Sequence, residues 1–150
     1  MSHCISNLSA GGLAVSEFER RKFHFKMNCC KKAFTETMEK IVKACAPVLK
    51  DNTELKFRLE MAAREMLANA LEHGCSCAEE KIMIVLTLEN PRQLKLKVVS
   101  PGAGFDWQNI ILNYMPHLET EGRGLPMIKI AADELEFNEK GNIITAVFRT

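Results

Sequence analysis

Glu65, Asn69 and His73 stand four residues apart in the stretch "REMLANALEHG", residues 64–74. Steps of four keep side chains on nearly one face of a helix, and most residues between them are good helix formers. One face would then carry an acid, an amide and an imidazole in line. Glu72 falls in the same sector of roughly 100°. Leu59, Ala63, Met66, Leu67, Ala70 and Leu71 take the neighbouring and opposite directions. A solvated helix face has the same pattern, so the stripe acquires meaning only from what the rest of the chain brings to it.

Two glycine pairs are the next candidates. In "VVSPGAGFD", Gly102 and Gly104 directly follow a predicted strand. Glycine there allows positive φ and close approach of another body to the backbone, although a plain tight turn would also use it. In "EGRGLPMIK", Gly122 and Gly124 come just before a predicted helix, whose free N–H groups form a natural phosphate site. Neither pair is a dinucleotide fingerprint or a Walker A loop, because the spacing differs and no G-K-[ST] occurs.

The cysteines are Cys4, Cys29, Cys30, Cys45, Cys75 and Cys77. An adjacent pair and a C-x-C do not make a disulfide framework, and no export signal precedes them. They read as reduced thiols of a cytoplasmic protein. "HGCSC" could offer His73, Cys75 and Cys77 as soft metal ligands, but no second ligand pair with zinc spacing follows.

The elements that must position these residues are legible from periodicity. Residues 1–18 are small and polar and read as a flexible leader, leaving 19–150 as one domain. "RRKFHFKMN" alternates as a half-buried strand. "CKKAFTETMEKIVKACAPVL" has helical spacing, with Pro47 near its end. Asp51, Asn52 and Thr53 offer caps for a long helix that runs to His73, with Gly74 as its closing residue. "KIMIVLTLE" and "QLKLKVV" read as a hairpin. A weak helix spans 106–113, a loop 113–124 and a further helix 125–135. "LEFN", the turn "EKGN" and "IITAVFRT" close with a second hairpin. Segregated strands and helices predict an α+β fold: a two-layer sandwich whose mixed, mostly antiparallel sheet is covered on one face by three helices.

Composition narrows the class. The chain has 47% hydrophobic and 26% charged residues and a net charge of +1, with acids and bases mixed. That balance argues against a dedicated nucleic-acid binder. The longest apolar run, "IMIVL" at 82–86, suits a buried strand and is too short to span a membrane.

An acid–amide helix, then a strand ending in G-x-G, then a G-x-G opening a helix is an ordered set. It resembles the ATP-binding domain of the GHKL superfamily (the Bergerat, histidine-kinase-like ATPase fold), and most closely the bacterial anti-sigma factors that are serine/threonine-protein kinases. "EMLANALEHG" is similar to that family's N box, "VVSPGAGFD" to its G1 box and "EGRGLPMIK" to its G2 box. The resemblance implies that Asn69 binds Mg²⁺ and that Glu65 is the catalytic general base. His73 would lie near the nucleotide. Ser100, Gly102, Gly104, Gly122, Arg123 and Gly124 would contact ATP. It further implies a homodimer that holds a sigma factor and phosphorylates a STAS-type anti-anti-sigma protein. No direct nucleic acid or membrane partner is expected.

Two positions and one segment depart from the family pattern. Ser100 stands where the G1 box carries an Asp that accepts from the adenine amino group. The lid segment 107–121 is short and poor in glycine. Asn142 replaces a Thr that often follows the glycine of the last hairpin. The alternative these departures raise is a pseudo-kinase, nucleotide-free or weakly binding, that acts as a protein-binding regulatory module.

Overall fold

The computed structural model describes residues 18–106 and 124–150. Within them the chain forms β1 (Arg21–Asn28), α1 (Lys31–Leu49), α2 (Thr53–Gly74), β2 (Lys81–Asn90), β3 (Gln93–Val99), α3 (Gly124–Ala131), β4 (Glu134–Phe137) and β5 (Ile143–Arg149). The strands make one sheet in the order β1-β2-β3-β5-β4. The expected α+β sandwich with three helices is present.

The sheet is antiparallel at every pairing, which corrects the expectation of a mixed one. The reason lies in the connections. Two successive helices return the chain to the end of β1 that it left, so Asn28 pairs with Lys81 and β2 runs back alongside β1. Among the described residues, the crossover that ends in α3 leaves β3 and β4 parallel, as such crossovers do. However, β5 sits between them, so no parallel pair forms.

Alternation along the strands fills the core from one face. Ile82, Ile84, Leu86 and Leu88 of β2 and Leu94, Leu96 and Val98 of β3 are fully buried. They pack with Ile41 and Cys45 of α1, with Leu59, Met66 and Leu67 of α2, and with Ile128 of α3. Burial of side chains of this size contributes about 1.5–3 kcal/mol each. It also raises the Cys45 thiol to a pKa of about 12, because desolvation disfavours the thiolate.

The long helix begins as its sequence suggests: Asn52 Oδ1 accepts from the Leu55 N–H at 2.8 Å, and Glu54 lies in the first turn. Its second turn is tied to the far side of the fold by Arg58. That guanidinium donates to the Ala131 carbonyl at 2.8 Å and to Asp133 Oδ2 at 2.7 Å. Asp133 Oδ2 also accepts from the Arg149 N–H at 2.6 Å. Burial pushes the Asp133 carboxyl up, but the Arg149 N–H and the Arg58 guanidinium outweigh it and hold the group below its ordinary range.

Other details differ from the sequence reading. The last helix stops at Ala131 rather than 135, because Leu135 and Phe137 alternate with Glu134 and Glu136 and join the sheet edge as β4. Gly74 is the last residue of α2, followed by an extended Cys75, and it lacks the positive φ of a glycine cap. Cys29 and Cys75 form a disulfide with Cα atoms 5.9 Å apart, which corrects the reading of all six cysteines as reduced. The pairing is invisible in sequence spacing because it arises where the end of β1 meets the end of α2. The leader falls outside the described residues except for Phe18, which packs on the core. Most of the weak helix at 106–113 and of the loop at 113–124 is also outside them. Among the described residues no helix is long and apolar enough to cross a membrane.

Candidate functional site

Helix α2 presents Glu65 and Asn69 half-buried and His73 exposed. Ala62, Ala63, Met66, Leu67 and Ala70 face the core and fix the helix rotation. Asn69 Nδ2 is buried and has no hydrogen-bond partner among the described residues. Such groups are nearly always paired, and an orphan costs about 1–3 kcal/mol. Carboxamide oxygen and nitrogen exchange places by a half-turn of the side chain. An amide that nothing in the described fold holds can therefore offer a hard oxygen to a divalent cation, and the donor chemistry fits Mg²⁺.

The end of α2 is where the sequence motifs converge. A Cβ built on Gly74 would lie 2.4 Å from Ser100 Cβ and 2.6 Å from its Oγ. A Cβ on Gly102 would lie 2.6 Å from the Gly74 carbonyl oxygen. Gly104 has φ +93°, and its Cβ would lie 1.8 Å from the Lys140 carbonyl oxygen. The body that approaches these glycines is thus the chain itself: Gly102 crosses the end of α2, and Gly104 crosses the β4–β5 hairpin. Hydrogen bonds complete the crossing. The Ser100 N–H donates to the Asn142 carbonyl at 2.8 Å, and Asn142 Nδ2 reaches the Ser100 carbonyl at 3.5 Å. Asn138 Nδ2 donates to Asn142 Oδ1 at 2.6 Å, while Asn138 Oδ1 accepts from the Ile143 N–H at 2.9 Å.

Beside this crossing lies a cleft of about 670 Å³ lined by Gly104, Phe105, Asp106, Phe137, Asn138, Glu139 and Lys140. That size is ordinary for a small-ligand site. The His73 ring meets Phe105 at 5.6 Å between centroids, which links the end of α2 to the cleft wall. Asn69 stands about 6 Å further along the helix axis, and Glu65 about 6 Å beyond it. Ser100 is buried against Gly74, and neither it nor Glu65 nor Asn69 lines the cleft itself. Cys75 follows Gly74 directly, so its bond to Cys29 pins the end of α2 to the end of β1.

Of the residues singled out by sequence, the structure brings together His73, Ser100, Gly102 and Gly104, with Asn69 and Glu65 on the same helix. Gly122 and Arg123 lie outside the described residues. Gly124 opens α3, which packs against α2. The proposed soft-metal set is not assembled: Cys75 is bonded to Cys29, and no three potential ligands cluster among the described residues. Sequence reasoning passed over Phe137, Asn138, Glu139 and Lys140, taking "EKGN" as a turn and nothing more. The signal available was Asn142, already noted as a departure at the edge of that turn.

The family model described as the histidine kinase-like ATPase domain matches residues 31–148. No curated protein matches the chain. Among solved structures, the chain is similar to one described as the RsbU and RsbW domains of Rv1364c from Mycobacterium tuberculosis. That likeness has 16% identity and a TM-score of 0.60, and covers 85% of this chain and 31% of that one. At such identity it speaks for the fold.

Proposed function

This chain belongs to the histidine kinase-like ATPase domain family, and on that premise we propose that it is a cytoplasmic anti-sigma regulatory factor. In this reading it uses Mg-ATP to phosphorylate a serine or threonine of a STAS-type anti-anti-sigma protein and otherwise holds a sigma factor, as a homodimer. The observation that carries the reading is the meeting of Gly74 with Ser100 and Gly102, which joins the acid–amide helix to the first glycine loop.

Each residue then has a task. Asn69 supplies an oxygen to Mg²⁺, which when bound neutralises charge on the phosphates. Glu65 accepts the proton of the attacking hydroxyl, the task of a general base within hydrogen-bond reach. By the family resemblance, Gly122, Arg123 and Gly124 would contact phosphate oxygens, and Gly124 opens α3. In this reading Ser100 is the residue that reads the adenine, and Gly102 and Gly104 shape the backbone beside it. His73 and Phe105 form the outer rim. Transfer relies on positioning and charge neutralisation, with little covalent work for the protein.

Ser100 also supports a second reading. A neutral hydrogen bond contributes about 0.5–1.5 kcal/mol, against about 1.5–3 for one to a charged group. Losing the carboxylate thus weakens the site by roughly tenfold, and a pseudo-kinase that kept only its partner surface is the limit of that trend. A thermal-shift titration with Mg-ATP separates the two, because ligand at 100 times its Kd adds about 2.7 kcal/mol of stability. Stabilisation in wild type that is lost in Asn69→Ala supports nucleotide binding, and no shift at millimolar Mg-ATP gives the second reading. Phosphate transfer to candidate STAS proteins then tests the kinase step. Equal labelling by Glu65→Ala removes Glu65 from its role.

A further inference from the structure

Strand pairing gathers a basic surface that the sequence disperses. On the sheet face turned away from the helices, β2 presents Met83, Val85 and Thr87. Lys26 of β1 pairs with Met83, and Lys22 with Thr87. On the other side, Lys97 of β3 pairs with Val85 and Lys95 with Thr87. A shallow row, half-buried at Met83 and Val85 and buried at Thr87, therefore runs between Lys22, His24 and Lys26 of β1 on one side and Lys95, Lys97 and Val99 of β3 on the other. Lys22, Lys26 and Lys97 are exposed, and none of them is in an ion pair among the described residues. Between β1 and β3 the carboxylate on this face is Glu89, already held by Arg20 at 2.7 Å and by Lys95 at 3.7 Å; Glu134, paired with Arg149 at 2.6 Å, and Glu136 lie on the same face two strands beyond β3.

We propose that this face docks an acidic amphipathic α-helix of a partner protein, laid along β2 with carboxylates on both flanks. The dimensions match. β1 and β3 are two strand spacings apart, about 9.6 Å, and a helix with its side chains is about 10 Å across. Lys95 and Lys97 repeat along the strand every ~6.8 Å, close to the ~6 Å between helix residues i and i+4. The small apolar floor suits Ala or Leu on the helix underside. Nucleic acid fits less well, because sheets that bind it stack bases on exposed aromatic rings. Here Phe23 and Phe25 of β1 pair with the core residues Leu86 and Ile84 and face the helix layer. The surface is on the opposite side of the sheet from Glu65 and Asn69, so the inference does not depend on the nucleotide reading.

Fluorescence anisotropy with a labelled synthetic helix of about 18 residues tests it. The helix carries two rows of Glu flanking an Ala/Leu row, and its scrambled isomer has the same composition and charge. The designed helix should bind at least about tenfold more tightly than the isomer, and less tightly as salt rises. The double variant Lys22→Glu/Lys97→Glu should lose at least about tenfold, whereas Lys43→Glu on α1 should not change binding. A Lys-for-Glu version of the helix should recover binding to the double variant, which also shows that the variant is folded. Equal binding of the isomer, or no effect of the double variant, overturns the proposal. So does tighter binding of a single-stranded oligonucleotide or of phosphatidylserine vesicles, or self-association of the wild type that the double variant abolishes. Those outcomes assign the face to nucleic acid, membrane or a second copy.

Discussion

Gly74 and Ser100 touch so closely that no side chain fits between them: a Cβ on Gly74 would stand 2.4 Å from Ser100 Cβ. The contact couples the end of the α2 helix to the loop that follows β3. Gly74→Ala should therefore overpack the junction, at a cost of about 1–3 kcal/mol, partly offset by the better helix propensity of alanine. Ser100→Gly removes the obstructing atoms. Urea denaturation of both single variants and the double variant should show the double variant more stable than additivity allows, by about 0.5–3 kcal/mol. Additive effects would mean that the two segments do not meet.

Gly104 is constrained twice. Its φ of +93° disfavours any side chain by about 1–2 kcal/mol, and a Cβ would lie 1.8 Å from the Lys140 carbonyl oxygen. Gly104→Ala must part the loop from the β4–β5 hairpin. A fall in Tm of at least roughly 4–8 °C is expected, given about 2–4 °C per kcal/mol for a domain of this size. An unchanged Tm in calorimetry would contradict the crossing.

Ser100→Asp restores the charge that the family pattern carries at this position. If Ser100 reads the adenine, the substitution should tighten Mg-ATP binding by up to about tenfold, by the difference between neutral and charged hydrogen bonds. Isothermal titration with ATP and GTP in parallel gives the affinity and the base preference together. Weaker ATP binding in Ser100→Asp would remove Ser100 from the adenine wall.

The alternation of "RRKFHFKMN" and the periods of the two long helices were enough to order the elements, because each buries one face against a single core. The strand-like alternation of Leu135 and Phe137 is masked in the sequence by the helical run before it, so the helical pattern extends four residues beyond the true end at Ala131. Contacts between distant segments were beyond reach for a different reason. Nothing local marks Cys29 as the neighbour of Cys75, or Gly104 as the crossing point for Lys140. Those relations exist only once the two-helix return and the closing hairpin have placed the ends of elements together. The lysines of β1 and β3 illustrate the same point: they are dispersed in a chain of net charge +1 and become a patch only through register.

The Cys29–Cys75 bond closes a loop with a sequence separation of 46 residues. Loop-closure entropy places its contribution at about 4 kcal/mol at most, with native strain or residual structure reducing it. Denaturant unfolding with and without dithiothreitol should show lower stability in the reductant, and Cys29→Ser should remove that difference. Alkylation in denaturant before reduction should leave both residues unlabelled. Labelling of either one would show that the pair is not bonded.

Asp133 should govern part of the acid limb of the stability curve. Its carboxylate accepts from the Arg149 N–H and pairs with Arg58 at 2.7 Å, and its folded pKa lies below the ordinary 3.8. The sign follows from proton linkage: the unfolded chain binds the proton more readily, so the group stabilises the fold above pH 3.8. That contribution disappears as pH falls through the lower folded value. The side chain is 34% exposed, so solvent screening limits the ion pair to about 1 kcal/mol. Asp133→Asn should therefore be less stable than wild type by a constant amount from neutral pH down to about pH 5, with the gap closing below pH 4. Urea midpoints across that range check it. A gap that widens on acidification would mean that the carboxyl is protonated more readily in the fold than out of it, and that Arg58 and Arg149 do not hold it as described.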